Sequence, residues 1–387
     1  MYKYRLYPSS KQKVRLIHSF NICKTIYNEL LALSMDTYKF GGVSLSSFDY
    51  NKYLTGKHAG VHSQIKQNVS DRVHKCFSDF FRRVKDKSCK EKGFPRFKSR
   101  INSITFPQSG FNLLSDKRIR LSKIGDVPIV LHRIPRGKIK TLTVKQNKAG
   151  QWFAIFCCEL SDSKAISAST EKVGIDVGLE SFATLSNGEI IANPRHLIKA
   201  EKRLKILQKR LSRKVKGSTN RGKAKCALAK KHVKVVNQRN DFLHKLSKSL
   251  VLKYSTIAVE DLNINRMLQN NKLAKSISDA SWNTFINMLS YKAVTCGGQV
   301  LKSPRTRGSS HRCGKCGFYV KDMYLNKRTF SCPKCFNVCH RDLNASINHL
   351  NDTVGLTGIY TPADIEPLQQ KRSVACLVVE AGTINEK

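Results

Sequence analysis

Acid is what this chain has least of. Its 387 residues carry 27 Asp+Glu against 70 Lys+Arg, a formal charge of +43 at pH 7. Such a balance points to a polyanionic partner, because each phosphate neutralised releases a counterion. Long apolar runs are also missing. None approaches the ~20 residues that would span a bilayer, which weakens the rival reading of an anionic membrane surface. The opening M-Y-K-Y-R-L-Y-P lacks the apolar centre of a secretory signal. The expectation is a cytoplasmic, nucleoid-associated protein with no signal peptide or transmembrane segment. Cysteine is present but not in a disulfide pattern. The 13 are odd in number, and Cys23, Cys76, Cys157, Cys158 and Cys296 sit singly or together in apolar stretches, as small hydrophobes in a reducing compartment do.

Against this background three acids stand out: Asp176 in V-G-I-D-V-G, Glu260 in I-A-V-E-D-L and Asp342 in H-R-D-L-N-A-S. Taken singly, each could be a helix cap or an ion-paired acid. Clustered carboxylate oxygens, however, are what hard divalent cations require. Two such ions activate a water and stabilise the leaving oxygen when a phosphodiester is cut. Asp176, Glu260 and Asp342 are therefore the candidate catalytic residues and Mg²⁺ ligands, with Mn²⁺ as a substitute. Asp279 and Asp241 read instead as a helix cap and a surface acid.

The rest of the chain divides by pattern. A short strand over 1–10 leads into a helix signalled by Ser9 and Gln12, with Val14, Ile17, Phe20, Ile26 and Leu30 at helical spacing. A polar break over 40–60 precedes a second helix over 61–87, apolar at Ile65, Val69, Val73, Phe77, Phe80 and Val84. Arg82 and Arg83 on its basic side, and Arg96 and Lys98 in G-F-P-R-F-K-S-R, are candidate nucleic-acid contacts, since aromatics are interleaved with the bases. Short β-rich runs over 101–160 predict a small antiparallel barrel. A Ser/Ala/Lys-rich linker over 161–171 follows, then a hairpin turning at Asn187–Gly188. Residues 199–250 hold 18 Lys/Arg against Glu201 and Asp241, and predict two basic helices broken near Gly217–Gly222. A buried strand at Thr256–Glu260, a helix from Asp279 to about Val294 and a strand near Gln299–Ser303 complete this part.

The most specific local pattern is Cys313-x2-Cys316-x15-Cys332-x2-Cys335. Two such pairs present four thiolates to a tetrahedral structural Zn²⁺, with no open position for catalysis. Cys339 and His340 lie near enough in sequence to compete as ligands.

An acid on a first strand, a second ending a later buried strand and a third opening a C-terminal helix is the order found in RNase H-like nucleases. At this point the chain resembles the TnpB (OrfB) family of insertion-sequence-encoded RNA-guided nucleases, relatives of the compact type V CRISPR nucleases. The resemblance rests on Y-R-L-Y-P-S-S-K-Q, G-F-P-R-F-K-S-R, V-G-I-D-V-G, V-E-D-L, S-W-N-T-F-I-N-M-L-S-Y-K-A, S-S-H-R-C-G-K-C-G, C-P-K-C and R-D-L-N-A-S. By position, Asp176, Glu260 and Asp342 match the acids of the family's RuvC-like site, and the four cysteines match its zinc insertion. Ser309-Ser310-His311 stands where the family has a TSQ-like tripeptide, and Cys339 where it has a polar residue.

The resemblance implies an α+β multidomain fold. Residues 1–10 and 101–160 would form an OB-like wedge β-barrel, with 11–100 as an inserted helical recognition lobe. Residues 172–302 and 341–350 would form an RNase H-like (RuvC) nuclease domain. A zinc-ribbon insertion would occupy 303–340 and a flexible tail 351–387. It further implies an RNA-guided, Mg²⁺-dependent DNA endonuclease of a transposable element. Its partners would be a guide RNA and double-stranded target DNA bearing a short adjacent motif, with specificity supplied by base pairing. Two other functions share much of this machinery. A nuclease-inactive guided repressor would lack triad acids, all of which are present. A transposase-type strand transferase would use the same acids.

Overall fold

In the computed structural model, residues 1–89, 91–114, 117–159, 169–304, 308–321 and 328–354 are described. Most of the expected 161–171 linker, and the expected tail from residue 355 onward, lie outside them. The chain divides into two compact units, Met1–Ser163 and Lys164–Lys387.

The first unit opens with β1 (Tyr2–Leu6), α1 (Ser10–Gly41), α2 (Ser47–Tyr53) and α3 (Ser63–Lys85). It continues with β2 (Ser103–Phe106), β3 (Phe111–Leu114), β4 (Arg118–Leu121), β5 (Gly125–Val130), β6 (Lys138–Gln146) and β7 (Trp152–Glu159). These strands make one barrel-like antiparallel sheet in the order β2-β6-β7-β1-β5-β4-β3. The N-terminal strand is thus internal, pairing Tyr4 with Ala154 and Arg5 with Val130. Alternation along the strands sends Tyr4, Leu6, Ile104, Phe106, Leu142, Val144, Trp152 and Phe156 into the core.

At α1 the Ser9–Gln12 capping box forms in both directions, satisfying two backbone donors of the first turn. The buried stripe of α1 is Leu16, Phe20, Cys23, Tyr27, Leu30 and Ser34, an unbroken i, i+3/i+4 series. Val14 and Ile17 fall off that series and face outward, unlike the sequence expectation. In α3, Ile65, Val69, Val73 and Phe77 are buried as expected, while Val84 is exposed beyond the end of the packed face. The polar break before α3 contains α2, whose own capping box (Ser46, Asp49) is short-range enough to nucleate a turn in a polar stretch.

The second unit begins with β8 (Lys172–Val177), β9 (Ser181–Leu185), β10 (Ile190–Ala192), α4 (His196–Ser212), α5 (Thr219–Lys253) and β11 (Thr256–Glu260). It goes on through α6 (Ile264–Met267), α7 (Ala274–Ala280), α8 (Trp282–Thr295), β12 (Gln299–Ser303), β13 (Thr329–Ser331), β14 (Val338–His340) and α9 (Arg341–Val354). Its five-stranded sheet runs β10-β9-β8-β11-β12. The first three strands are antiparallel neighbours, whereas β8, β11 and β12 are parallel. Val173, Ile175, Ile257 and Val259 pack into a core with Phe182, Leu243, Leu250, Trp282, Phe285 and Leu289.

Three boundaries differ from expectation. The break between the basic helices ends at Ser218, which caps α5, so Gly222 lies inside the helix. The helix expected from Asp279 to Val294 is two: α7 ends at Ala280 and α8 starts at Trp282, separated by Ser281 at φ 55°. Residues 351–354, expected to begin the flexible tail, are the last turn of α9.

Candidate metal centres

The parallel β8/β11 ladder pairs Ala258 with Gly174 and Val259 with Ile175, so one further step sets Glu260 opposite Asp176. Alternation puts both acids on the face opposite Ile175 and Val259, away from the apolar core. α9 lies across that face. A Cβ on Gly174 would stand 1.9 Å from the Ser346 carbonyl oxygen, so only glycine permits the approach. The helix thereby carries His349 to the acids, its Nε2 3.6 Å from Asp176 Oδ1. One ligand atom each from Asp176, Glu260 and His349 lie within 4.8 Å of one another.

Asp342, the second residue of α9, is placed differently. Its carboxylate is 3.6 Å from Arg341 Nε, 3.7 Å from Arg328 Nη1 and 4.0 Å from His340 Nδ1. It is not one of the group within 4.8 Å. The structure therefore brings two of the three expected acids together and adds a histidine the sequence reading did not name. The neighbouring Asp261 is engaged elsewhere, 2.9 Å from Lys302 Nζ, beside a shallow cleft lined by Glu260, Asn283, Asn287 and Ser290. Asp241 pairs with Lys245 on the surface. Asp279 is a cap, though of another helix: it accepts the Leu197 N–H at the start of α4 and pairs with Arg239 at 2.8 Å.

The four expected cysteines converge. Cys313 Sγ is 3.7 Å from Cys335 Sγ and Cys316 Sγ is 3.5 Å from Cys332 Sγ, with all four within 4.8 Å of one another. Disulfide sulfurs would be at about 2.05 Å. Four sulfurs about 2.3 Å from a tetrahedral Zn²⁺ lie about 3.8 Å apart, so the donor set fits that ion. Each Cys-x2-Cys pair is a tight turn followed by a residue at positive φ, Gly317 at 74° and Phe336 at 56°. Cys339 stands outside the sulfur group. Burial pushes its thiol above the ordinary value, against an Asn337 amide that donates to Sγ.

One face of α9 joins the cysteine turns to the sheet through polar side chains. Asn344 accepts the Gly314 N–H and donates to the Arg312 carbonyl, Asn348 donates to Ser309 and Arg312, and Asn351 donates to Gly314. Asp352 pairs with Arg312 and accepts from Ser303. These residues fall at i, i+4, i+7 and i+8, a single stripe.

Among the expected nucleic-acid contacts, Arg82 is exposed and pairs with Asp79. Arg83 donates to the Gly93 carbonyl, and Lys98 is held through its backbone by both ends of the Asn28 amide. Arg96 is exposed. These bonds tie the basic loop over 91–100 to α1 and α3.

With this geometry in hand, comparison with known proteins is informative. A curated protein of Streptomyces pristinaespiralis named "Putative RNA-guided DNA endonuclease" is 34% identical over 363 residues, covering 90% of this chain and 88% of its own length. The chain belongs to the OrfB (TnpB) family. The family models agree: OrfB, described as "Probable transposase", matches 155–271, and "Cas12f1-like, TNB domain" matches 282–349. A third model, the "Helix-turn-helix domain" of OrfB, matches 1–42, residues that here form β1 and one continuous helix, α1. The Escherichia coli relative "Putative RNA-guided DNA endonuclease InsQ" is 29% identical over 367 residues, covering 90% of this chain and 91% of its own. The fold is shared with a solved "Cas12f1-sgRNA-target DNA complex" at TM-score 0.56 and 16% identity, over 88% of this chain and 82% of that one. Among the described residues of this OrfB protein, no helix is long and apolar enough to cross a membrane.

Proposed function

We propose that this OrfB protein is an RNA-guided, Mg²⁺-dependent DNA endonuclease, with Asp176, Glu260 and Asp342 as its catalytic acids. The observation that carries the proposal is the meeting of Asp176 and Glu260 at the C-terminal ends of adjacent parallel strands beneath α9. The sheet around them, three antiparallel strands continued by two parallel ones, supports an RNase H-like (RuvC) reading. Bound Mg²⁺ would supply a polarised phosphoryl oxygen and a readily ionised water. Asp176 and Glu260 would hold it, Asp342 would add its charge from the first turn of α9, and Gly174 lets that helix sit close enough to do so. Cys313, Cys316, Cys332 and Cys335 would hold a structural Zn²⁺, keeping the turns on which Asn344, Asn348 and Asn351 dock. In this reading the barrel-like sheet and α1–α3 are the wedge and recognition lobe, and the basic faces of α4 and α5 hold guide and heteroduplex phosphates. The names of the curated relatives support the guide-RNA and target-DNA partners.

The test is co-purification. The chain is expressed with its native flanking DNA, bound RNA is sequenced, and the complex is given a matched plasmid with Mg²⁺ beside Asp176→Ala. A discrete RNA and metal-dependent cutting that vanishes in the variant are expected. RNA without cutting would indicate a repressor, joined strands would indicate a strand transferase, and no defined RNA would refute guidance.

A further inference from the structure

We infer that His349 is a direct nitrogen ligand of the divalent cation held by Asp176 and Glu260. The inference rests on the carboxylate metal site proposed above and adds a donor of a different class to it. His349 is 1% exposed, and neither ring nitrogen has a hydrogen-bond partner. Leaving a buried polar group unsatisfied is destabilising, so such groups are rare without a purpose. The imidazole is also aimed. Its Nε2 faces Asp176 Oδ1 at 3.6 Å, too long for a hydrogen bond of about 2.7–3.2 Å. Two ligands each about 2.1 Å from one ion, at angles between octahedral and tetrahedral, lie about 3.0–3.4 Å apart. Closing by a few tenths of an ångström would bring the imidazole and Asp176 to that spacing, with a Glu260 ligand atom within 4.8 Å of both.

The helix explains how His349 gets there. Asp342, Ser346 and His349 lie at i, i+4 and i+7, the face of α9 that Gly174 admits against β8. The neighbouring stripe, Asn344, Asn348, Asn351 and Asp352, is bonded to the cysteine side and to β12. His349 is the member of the buried polar set that is directed at the acids and otherwise unbonded. Two carboxylates and one imidazole form a mixed oxygen–nitrogen donor set. Imidazole favours first-row transition ions over Mg²⁺, so this site should prefer Mn²⁺ or Co²⁺ to Mg²⁺ more strongly than an all-carboxylate site.

Mn²⁺ alone is the probe, bound to the full chain and read by electron spin-echo modulation, which detects nitrogen directly attached to the ion. The wild type should show imidazole ¹⁴N coupling, replaced by ¹⁵N coupling when histidine is labelled. The coupling should vanish in His349→Gln and His349→Leu, with Mn²⁺ binding weakened about tenfold or more by calorimetry and Mg²⁺ binding changed much less. Mn²⁺ bound without nitrogen coupling, or coupling that survives both substitutions, would overturn the inference. Asp176→Asn separates the two levels. If it abolishes Mn²⁺ binding while the wild type lacks nitrogen coupling, the carboxylate site stands and only the His349 ligand fails. If it changes neither binding nor spectrum, the metal site itself is wrong. Should the His349 variants not fold, the labelled wild type beside Asp176→Asn still decides.

Discussion

The two candidate metal centres of the second unit differ in how far apart in sequence their donors lie. The four cysteines come from one short segment, Cys313 to Cys335, and each pair is a self-contained turn. The donors of the other centre, Asp176, Glu260 and His349, are delivered by two strands and a helix spread over most of the unit. Spacing alone specifies the first, because a Cys-x2-Cys turn positions its own sulfurs. The second depends on strand register and on how closely α9 approaches β8. A local centre should fail by losing its ion and its own fold, whereas a distributed centre should lose chemistry while the fold persists.

The largest contrast should come from removing one donor from each. Glu260→Gln should lower DNA cutting on the order of 10³-fold or more with the melting temperature nearly unchanged. Cys332→Ser should abolish zinc stoichiometry and unfold the cysteine turns, since binding of structural zinc is worth on the order of 10 kcal/mol to such modules. Zinc content by atomic absorption, melting and cleavage read together check both. Retention of zinc by Cys332→Ser, or loss of fold in Glu260→Gln, would reverse the contrast.

Gly174→Ala tests the dependence of the distributed centre on helix approach. The added methyl meets the Ser346 carbonyl at 1.9 Å, so either α9 or β8 must move. A loss of about 1–3 kcal/mol in denaturant unfolding is expected, with weakened metal binding at Asp176 and zinc still bound. An effect of similar size should follow Asn344→Ala, which removes the acceptor for Gly314 N–H and the donor to Arg312 in a buried setting. About 1–3 kcal/mol is expected from the unsatisfied groups, seen as faster zinc release to a chelator without loss of zinc affinity for the four thiolates themselves.

The smallest effect concerns the two turns. Gly317 and Phe336 occupy equivalent left-handed positions, and Phe336 is 83% exposed, so its ring contributes little packing. A non-glycine residue there is strained by about 1–2 kcal/mol, partly offset by the greater chain entropy that glycine gives up. Phe336→Gly should therefore slow zinc release slightly and raise stability by about 0.5 kcal/mol. Destabilisation would show that the ring has a partner of its own.

Much of this was legible in advance, and the exceptions share a cause. The Ser9–Gln12 cap, β11 and β12 were readable because each depends on a few adjacent residues. The convergence of the four cysteines was readable for the same reason. Val14 and Ile17 were misplaced because several stripes of α1 are apolar enough to be the buried one, and only packing chooses among them. Asp279 was legible as a cap, but its helix was not, because it caps α4 from α7. His349 had no signal of its own. A lone histidine between Asn348 and Leu350 looks like any surface position until the helix is seen to bury a polar face.

By itself, then, the sequence determined the family, the basic character, the four sulfur donors and the acids placed at strand ends. Each of these is a property of residue type and short-range spacing. Tertiary structure decided which acids share a site, which stripe of α9 meets the cysteine turns, and that a buried imidazole faces the carboxylates. These follow from strand register and from a helix approach measured in ångströms, which hydrophobic periodicity does not encode when the buried face is itself polar.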